Sequence, residues 1–380
     1  MSSLAIPERQ GVQFGAEAIA SYIAQHEGRL MRALKSILAS SLIDEKTALG
    51  NRMVPLREVV EIFVRHLKEK AETFAGQELT AVVHGRPVRF VDDDDAADAR
   101  AQSVLESIAH KVGFRELSFV YEPIAAAYHY EETVAREETV LIADIGGGTS
   151  DFTVIRVGPE RSVRADRTSD ILANDGTRIG GTDFDALFNL DIVMPLLGLG
   201  TNLIVKNLPM PSGPYSELAT WSTINFAYTP RNERLVMELV SGAREPEKVA
   251  RLLKVVRERL GHRIALSVED AKIALSDAKR TQLSLDFIET GLDVVAGRTD
   301  FDEAISEKTE RLHKVAAACI AEAGLKPSDI NTIFFTGGSG RVPAVRAAIV
   351  RAAPDARATA GSDFLSVALG LTREAQKRFG

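Results

Sequence analysis

The sequence contains very little cysteine, because Cys319 is the only one among 380 residues. A single thiol excludes an internal disulfide and favours a reducing compartment. Apolar residues recur around it with helical spacing, so we predict that Cys319 belongs to the core face of a helix that ends at Gly324. The positions with this spacing are Phe301, Ile305, Leu312, Val315, Ala316, Ile320 and Ala323.

Other absences restrict the partners. No apolar run approaches the length of a membrane span, and the first residues lack an apolar signal region, so we expect a cytoplasmic protein without a membrane partner. The net charge of -7 gives no electrostatic reason to expect nucleic acid binding. The seven histidines form no close ligand pair, so we predict no zinc site. The acidic run 92–95 is interpreted as a solvated loop that helps to start the next helix.

Helical and strand patterns alternate along the chain, which is typical of an α/β fold with mixed sheets. A helix is predicted from Leu56, preceded by Pro55 and ended by Gly76. A β-hairpin is predicted over 140–157, helix over 245–276 and strand over 281–290. The stretch 198–234 is rich in Pro, Gly, Asn and Ser without a clear period, so we predict an irregular surface insertion there.

The predicted hairpin carries the most informative motif, "ADIGGGTSD". Asp144 ends a strand, Thr149 adds a hydroxyl, and Asp151 begins the returning strand. The turn between them contains Gly146, Gly147 and Gly148. Glycines leave backbone N–H groups accessible to phosphate, and a neighbouring carboxylate can hold Mg²⁺ through water. A plain glycine-rich turn is the alternative, but three glycines between two acids are more than such a turn needs.

Two further glycine pairs follow predicted strands or turns. In "FFTGGSGRVP", Gly337 and Gly338 could lie against a base or ribose, with Arg341 stacking its guanidinium on the ring. Any strand-to-helix turn could contain such a pair. In "RIGGTDFD", Gly180 and Gly181 precede a helix, and Thr182 and Asp185 have the spacing of a capping box.

Two acidic motifs complete the set of candidates. "EDAKIALS" places Glu269, Lys272 and Ser276 on one face of a helix, where an exposed ion pair and a solvated serine are the alternative interpretation. Glu122, in "YEPIAAAY", lies at a strand-to-helix junction and could instead simply add negative charge to a helix N-terminus.

These motifs, in this order, resemble the nucleotide-binding domain of the DnaK-type seventy-kilodalton heat-shock chaperones, which belongs to the actin-like ATPase superfamily. "VQFG", "AREPEKVA" and "FLSVALG" are most similar to the YegD-like branch, which has the ATPase domain without a peptide-binding domain. The resemblance extends over about 12–371. It implies a two-lobed, ribonuclease-H-like α/β fold, ATP and ADP with Mg²⁺ as ligands, and a cytoplasmic chaperone of the stress response that hydrolyses ATP as its lobes close. A protein client or co-chaperone is the expected partner.

The resemblance also implies roles for individual residues. Residues 146–149 would hold the phosphates, and Asp144 would hold Mg²⁺ through water. Thr149 and Glu122 would arrange the ion and the attacking water, and Lys35 would point at the γ-phosphate unless it is simply an exposed helix lysine. The residues implied to border the adenosine are Gly180, Gly181, Glu269, Lys272, Ser276, Gly337, Gly338, Arg341 and Asp363. Lobe I would contain 1–136 and 363–380, and lobe II 137–362 with an insertion at about 182–305.

One element of the resemblance is missing. The sequence contains no D-x-G-T motif before Leu56, and this motif supplies the first phosphate loop in the resembled family. We therefore expect an incomplete first lobe with unpaired strands and impaired turnover, caused by a reading frame that starts at an internal methionine or by a natural pseudo-ATPase. A non-catalytic nucleotide-sensing module is the alternative function, and an MreB-like or actin-like filament protein is a third. Because residues 372–380 contain no apolar interdomain linker or β-rich domain, we expect no capture of unfolded peptide by the coupled route that the resemblance would otherwise imply.

Overall fold

The computed structural model describes residues 3–7, 12–23, 28–32, 38, 41–49, 52–88, 90, 94–131, 134–164, 167–361 and 365–380. The chain forms two compact units. Unit 1 contains Met1–Ala135, Gly158–Arg167 and Phe364–Gly380, and unit 2 contains Arg136–Val157 and Thr168–Asp363. The chain therefore passes from one unit to the other four times.

The strands of unit 1 are β1 (Ser3–Pro7), β2 (Gln13–Phe14), β3 (Gly28–Arg32), β4 (Lys46–Leu49), β5 (Arg52–Pro55), β6 (Ala81–Arg86) and β7 (Glu116–Tyr121). Those of unit 2 are β8 (Glu138–Ile145), β9 (Ser150–Val157), β10 (Ile171–Thr177), β11 (Arg280–Ser284), β12 (Asp293–Gly297), β13 (Thr332–Thr336) and β14 (Arg357–Ala360). The α-helices described are α1 (Gly15–Ile23), α2 (Leu56–Ala75), α3 (Asp95–Lys111), α4 (Glu122–Glu131), α5 (Pro159–Ser162), α6 (Gly181–Ile192), α7 (Gly213–Ala219), α8 (Ile224–Ala227), α9 (Pro230–Gly242), α10 (Pro246–Arg257), α11 (Gly261–Asp277), α12 (Arg298–Ala304), α13 (Ser306–Glu322), α14 (Pro343–Val350) and α15 (Ser366–Phe379).

Unit 2 is built on a five-stranded mixed sheet with the order β10-β9-β8-β13-β14. The hairpin β8–β9 and the pair β9–β10 are antiparallel, whereas β13 runs parallel to both β8 and β14. β8 and β13 are buried apart from positions at the ends of β8, as expected for apolar, β-branched central strands. The helices of this unit bury their apolar faces in one large core that includes Phe152, Phe184 and Phe335. This arrangement confirms the predicted hairpin and mixed α/β fold.

Unit 1 has smaller sheets. Among the described residues, β6 and β7 form a two-stranded parallel sheet, and β4 and β5 form an antiparallel pair. Helix α2 begins after Pro55 and ends at Gly76, whose φ of 68° is the left-handed conformation that favours glycine, so the predicted limits are confirmed. The carboxylate of Asp94 accepts a hydrogen bond from the Ala97 N–H at 2.8 Å, which confirms the predicted helix start for this part of the acidic run.

Helices α4 and α15 cross in close contact in unit 1. A Cβ placed on Gly370 would lie 1.9 Å from the backbone oxygen of Ala125, so the two backbones touch at this point. The first turns of α4 contribute a run of buried alanines, Ala125 to Ala127, each no more than 1% exposed. Small residues on both helices therefore allow this crossing.

Several predicted elements needed correction. The stretch 198–234 is not an irregular surface segment, because it contains α7, α8 and the start of α9, and Tyr215, Leu218 and Ile224 are fully buried in the core. The predicted strand over 281–290 ends at Ser284. Two predicted helices are each divided in two. Arg259, with φ of 54°, separates α10 from α11, and Ile305 lies between α12 and α13.

The prediction for Cys319 is confirmed. Its side chain is completely buried in the core of unit 2, together with Leu312, Ala316 and Ile320 on α13. Within the described residues, no helix combines the length and the apolar composition that crossing a membrane requires.

Candidate functional site

Three glycine-containing turns of unit 2 meet beyond the carboxyl ends of β8 and β13. These strands are parallel neighbours, and Asp144 on β8 is directly paired with Thr336 on β13. The turn that follows each strand must therefore lie beside the other. In open α/β sheets, ligands bind in the crevice outside the carboxyl ends of the strands.

Hydrogen bonds join the three turns directly. The N–H of Gly181 donates to the backbone oxygen of Gly146 at 3.0 Å. The backbone N–H and the hydroxyl of Thr182 both donate to the oxygen of Gly147, at 2.7 and 2.8 Å. The hydroxyl of Ser339, in the third turn, donates to the oxygen of Gly146 at 3.1 Å. The carbonyls of the first turn are thus held from two sides.

In the second and third turns, Gly180 and Gly337 occupy positions where only glycine fits. Gly337 has a φ of 79°, and a Cβ there would lie 2.4 Å from the oxygen of Ile145 and 2.7 Å from a carboxylate oxygen of Asp144. A Cβ on Gly180 would lie 2.6 Å from the backbone nitrogen of Gly148. All three distances are shorter than real Cβ contacts, so the glycines permit close approach of the turns to one another.

The first turn contains two adjacent amides whose N–H groups are not used within the described residues. Gly146 closes the turn by donating to the oxygen of Thr149 at 2.9 Å. In the part of the chain that the structure describes, no hydrogen bond is made by the N–H of Gly147 or of Gly148. A Cβ on either residue would meet nothing within 4 Å, so the space beside them is open. Adjacent backbone N–H groups of this kind bind anions.

Two carboxylates, those of Asp144 and Asp151, lie near this turn. Asp144 is the penultimate residue of β8, and its carboxylate lies close to Gly337. The exposed hydroxyl of Thr149 donates to the carboxylate of Asp151 at 3.2 Å. No group of three or more metal-binding side chains occurs among the described residues. Mg²⁺ often keeps several waters and binds through one or two carboxylates plus phosphate, so the residues present fit this ion.

Lys272 of α11 lies beside the second turn. Its ammonium is 2.8 Å from the carboxylate of Asp185 on α6 and 3.4 Å from the backbone oxygen of Gly181. Lys272 is only 7% exposed, so the alternative of an exposed ion pair on this helix is wrong. The hydroxyl of Ser276 donates to the oxygen of Lys272 at 3.3 Å. Glu269 lies on the same helix. The pKa of the neighbouring Asp270 carboxyl is raised, mainly by burial and to a smaller extent by the negative charge of Glu269.

The predicted capping box was assigned to the wrong residues. Helix α6 is preceded by Gly180, whose N–H donates to the carboxylate of Asp183 at 2.9 Å. Thr182 and Asp185, which have the expected spacing, are used for the contacts with Gly147 and Lys272 instead.

The other predicted residues fall into two groups. Gly338 and the exposed Arg341 bound a short 3₁₀ segment after Gly337 in unit 2. Glu122 begins α4 and belongs to unit 1. Lys35 and Asp363 lie outside the described residues. Sequence reasoning missed three residues of the site, Ser339, Thr182 and Asp185. Ser339 and Thr182 each directly follow a glycine pair, and Asp185 follows one by four residues, which was the only signal for them besides the capping-box spacing of Thr182 and Asp185.

The mixed sheet order, with three glycine turns at the carboxyl edge of its central strands, defines an α/β protein. A family model described as Hsp70 protein matches residues 33–193 and 235–362, which is more than half of the chain. The chain therefore belongs to the Hsp70 family, and its mixed five-stranded sheet is consistent with the actin-like ATPase fold of that family. Membership supports an ATP-binding, chaperone-like ATPase domain. Domains of the family bind ATP or ADP, generally with Mg²⁺, and the family suggests interaction with clients or co-chaperones.

Proposed function

We propose that unit 2 binds ADP and ATP with Mg²⁺ at its three glycine turns, and that the chain is a YegD-like ATPase domain of the Hsp70 family. The observation that carries this proposal is the pair of adjacent amides at Gly147 and Gly148, which have no hydrogen-bond partner among the described residues and whose α-carbons border open space. They lie next to the carboxylate-bearing end of β8, where phosphate and a cation could be held together.

In this proposal the turn 146–149 holds the phosphates. The amides of Gly147 and Gly148 donate to phosphate oxygens, and Asp144 holds Mg²⁺ through water with the help of the Thr149 hydroxyl. Bound Mg²⁺ supplies neutralisation of phosphate charge. The ordered carbonyls of the same turn already accept bonds from Gly181, Thr182 and Ser339, so the turn needs little reorganisation when phosphate binds.

Lys272 has a specific role in the adenosine part of the proposed site. An ammonium group has three donors, and Lys272 directs two of them at Asp185 and at the oxygen of Gly181. The third can donate to a ribose hydroxyl, while Asp185 already neutralises the positive charge. Gly180, Gly181, Glu269, Ser276, Gly337, Gly338, Arg341 and Asp363 are the other residues that we assign to the nucleoside.

Hydrolysis is proposed to be slow in this chain. Glu122 and Lys35 are the residues assigned to the attacking water and the γ-phosphate. The 380 residues contain no D-x-G-T motif, which would supply further phosphate and metal contacts. Phosphoryl transfer depends on positioning and charge neutralisation, so fewer such contacts lower turnover more than affinity. The second candidate, a non-catalytic nucleotide-sensing module, is favoured by the same missing motif.

Binding is tested by thermal unfolding with Mg-ADP, with Mg-ATP and without nucleotide. Ligand at about 100 times its dissociation constant stabilises a fold by roughly 2.7 kcal/mol. The informative variant is Gly148→Val, because its side chain would enter open space without a clash in the fold but would block phosphate. Gly213→Val is the matched control, since a Cβ there also meets nothing within 4 Å and it lies on α7.

We expect the wild type and Gly213→Val to be stabilised by nucleotide and Gly148→Val to unfold at its usual temperature regardless of nucleotide. An equal nucleotide effect in both variants would overturn the phosphate site. Release of phosphate from saturating ATP then separates the two functions. Turnover above that of Asp144→Asn supports the ATPase, and turnover equal to it supports the sensing module.

A further inference from the structure

The chain crosses between the two units after Ala135, Val157, Arg167 and Asp363. Three of these crossings belong to neighbouring strands of the sheet in unit 2. The first crossing leads into β8, the second follows β9, and the third leads into β10, and these strands lie side by side in the order β10-β9-β8. The segment 158–167 of unit 1 therefore connects β9 to β10.

One buried carboxylate holds both ends of this segment. Glu131, the last residue of α4, accepts two hydrogen bonds of 2.7 Å from the guanidinium of Arg167, which ends the segment. The Oε1 atom of Glu131 also accepts the N–H of Gly158, which begins the segment, at 3.0 Å. Glu131 itself lies shortly before the first crossing at Ala135. A single side chain is thus bonded to, or close in sequence to, three of the four crossings.

The geometry of this contact is well defined. The side chains of Glu131 and Arg167 are only 2% and 3% exposed. The guanidinium of Arg167 also lies over the ring of Tyr128 on α4, with its central carbon 5.5 Å from the ring centroid. A planar guanidinium that donates two parallel bonds to a carboxylate has a fixed orientation. The pair therefore fixes the position of Arg167 relative to α4 as well as neutralising its charge.

Stability alone does not require a charged pair at this place. Burying two charges costs desolvation energy that their attraction only partly offsets, so apolar residues of similar size often stabilise a fold equally well. Apolar residues would supply neither an acceptor for the N–H of Gly158 nor a fixed direction for the segment that follows it. The contribution of Glu131 is therefore to the geometry of the crossings.

We propose that Glu131 is the anchor through which the two units are coupled, because it binds the connections to β9 and β10 to the helix that leads to β8. Local unfolding or displacement of these strands would act on Gly158 and Arg167, and their bonds to Glu131 would transmit the change to α4. Without the anchor, the segment 158–167 would be a loose connection, and each unit would respond separately. The inference does not depend on nucleotide binding.

Urea unfolding of the full chain tests the proposal, with pulsed hydrogen exchange and mass spectrometry at each urea concentration. Peptides from α2 report on unit 1, and peptides from α13 report on unit 2. Glu131→Leu/Arg167→Met removes the anchor and leaves neither charge of the pair behind. Arg86→Met/Asp98→Leu is the matched control, because it replaces another largely buried ion pair of unit 1, of 2.6 Å, between β6 and α3.

We expect the two units to share one unfolding midpoint in the wild type and in the control, even where the control has a lower midpoint. In Glu131→Leu/Arg167→Met, the midpoints of the two units should separate by on the order of 1 M urea. A shared midpoint in this variant would overturn the proposal, because a merely structural pair shifts both units together. Separate midpoints in the wild type or in the control would overturn it as well.

A second variant keeps the proposal falsifiable if the apolar variant does not fold. Glu131→Gln/Arg167→Gln is also neutral, and the amide oxygen at position 131 can still accept the N–H of Gly158. The two parallel bonds to Arg167 are lost, so we expect the midpoints of the two units to separate here too. A shared midpoint in this variant would overturn the proposal.

Discussion

The ammonium of Lys272 lies 2.8 Å from the carboxylate of Asp185, although the two residues are 87 positions apart in the sequence. Their side chains are only 9% and 14% exposed. The pair joins α11 to α6 and brings the ammonium to the oxygen of Gly181. It therefore supports the second glycine turn of the proposed nucleotide site as well as the packing of two helices.

Replacing one partner of this pair should destabilise unit 2. Asp185→Asn would leave the charge of Lys272 largely buried without a counter-ion, which we expect to lower the free energy of unfolding by about 2–3 kcal/mol. Urea unfolding followed by the fluorescence of Trp221, the single tryptophan, measures this change in unit 2. Glu233→Gln is the control, because it breaks the exposed pair with Arg257, and such pairs contribute little. A shift no larger than that of the control would contradict the prediction.

Gly337 should be much less tolerant of substitution than another glycine with a similar positive φ. Gly200 has a φ of 80°, but a Cβ there would meet nothing within 4 Å. Gly337→Ala and Gly200→Ala both place a side chain at a positive φ, which costs on the order of 1–3 kcal/mol. Only Gly337→Ala adds a clash with Ile145 and Asp144, which we expect to cost about 1–3 kcal/mol more. Chemical denaturation of the two variants measures the difference, and equal midpoints would refute the importance of the close approach.

A third prediction follows from the close crossing of α4 and α15. Alanine normally stabilises a helix relative to glycine by about 1 kcal/mol. Gly370→Ala should instead destabilise unit 1, because its methyl group would overlap the Ala125 backbone. Hydrogen exchange of the α4 and α15 amides should be accelerated at least about tenfold. The control is Gly242→Ala, where the nearest atom is 3.8 Å away, and its exchange rates should stay unchanged or fall. Slower exchange in Gly370→Ala would show that the helices separate without cost.

Cys319 should be unreactive in the folded protein. Burial raises the pKa of its thiol to about 12, from an ordinary value of 9.0. Because the folded state favours the neutral thiol, its contribution to stability is complete below pH 9 and is lost as the pH rises towards 12. A thiol reagent at pH 8 should modify Cys319 only in denaturant. Rapid modification of the native protein would place the thiol at the surface of unit 2.

Local signals predicted much of the fold and the glycine turns of the site. Pro55 and Gly76 determine the ends of α2 through their own backbone preferences, so the limits could be read from the sequence. The glycines at 146–148 likewise determine a turn between two β-branched strands. By contrast, α7 and α8 have only seven and four residues, too few to show a helical period. Burial of Tyr215 and Leu218 in the core stabilises them, and sequence patterns do not report such burial.

The partners within the site could not be predicted for a similar reason. The motif around Lys272 indicated a helix face but not the helix it packs against, so Asp185 was assigned to a capping box. Ser339 and Thr182 contact carbonyls of a turn that is far away in the sequence. Such contacts depend on the strand order of the sheet, which brings distant turns together only after folding.

The discontinuous composition of unit 1 has a consequence during protein synthesis. On the ribosome, α4 emerges long before α15, because the second and larger segment of unit 2 is translated between them. Until Gly370 has been made, the alanine-rich face of α4 has no helix to cover it, and the nascent chain exposes apolar surface that aggregates readily. Unit 2 has by then received all of its residues. The unit that contains the first residues of this chain is therefore the last one to be completed.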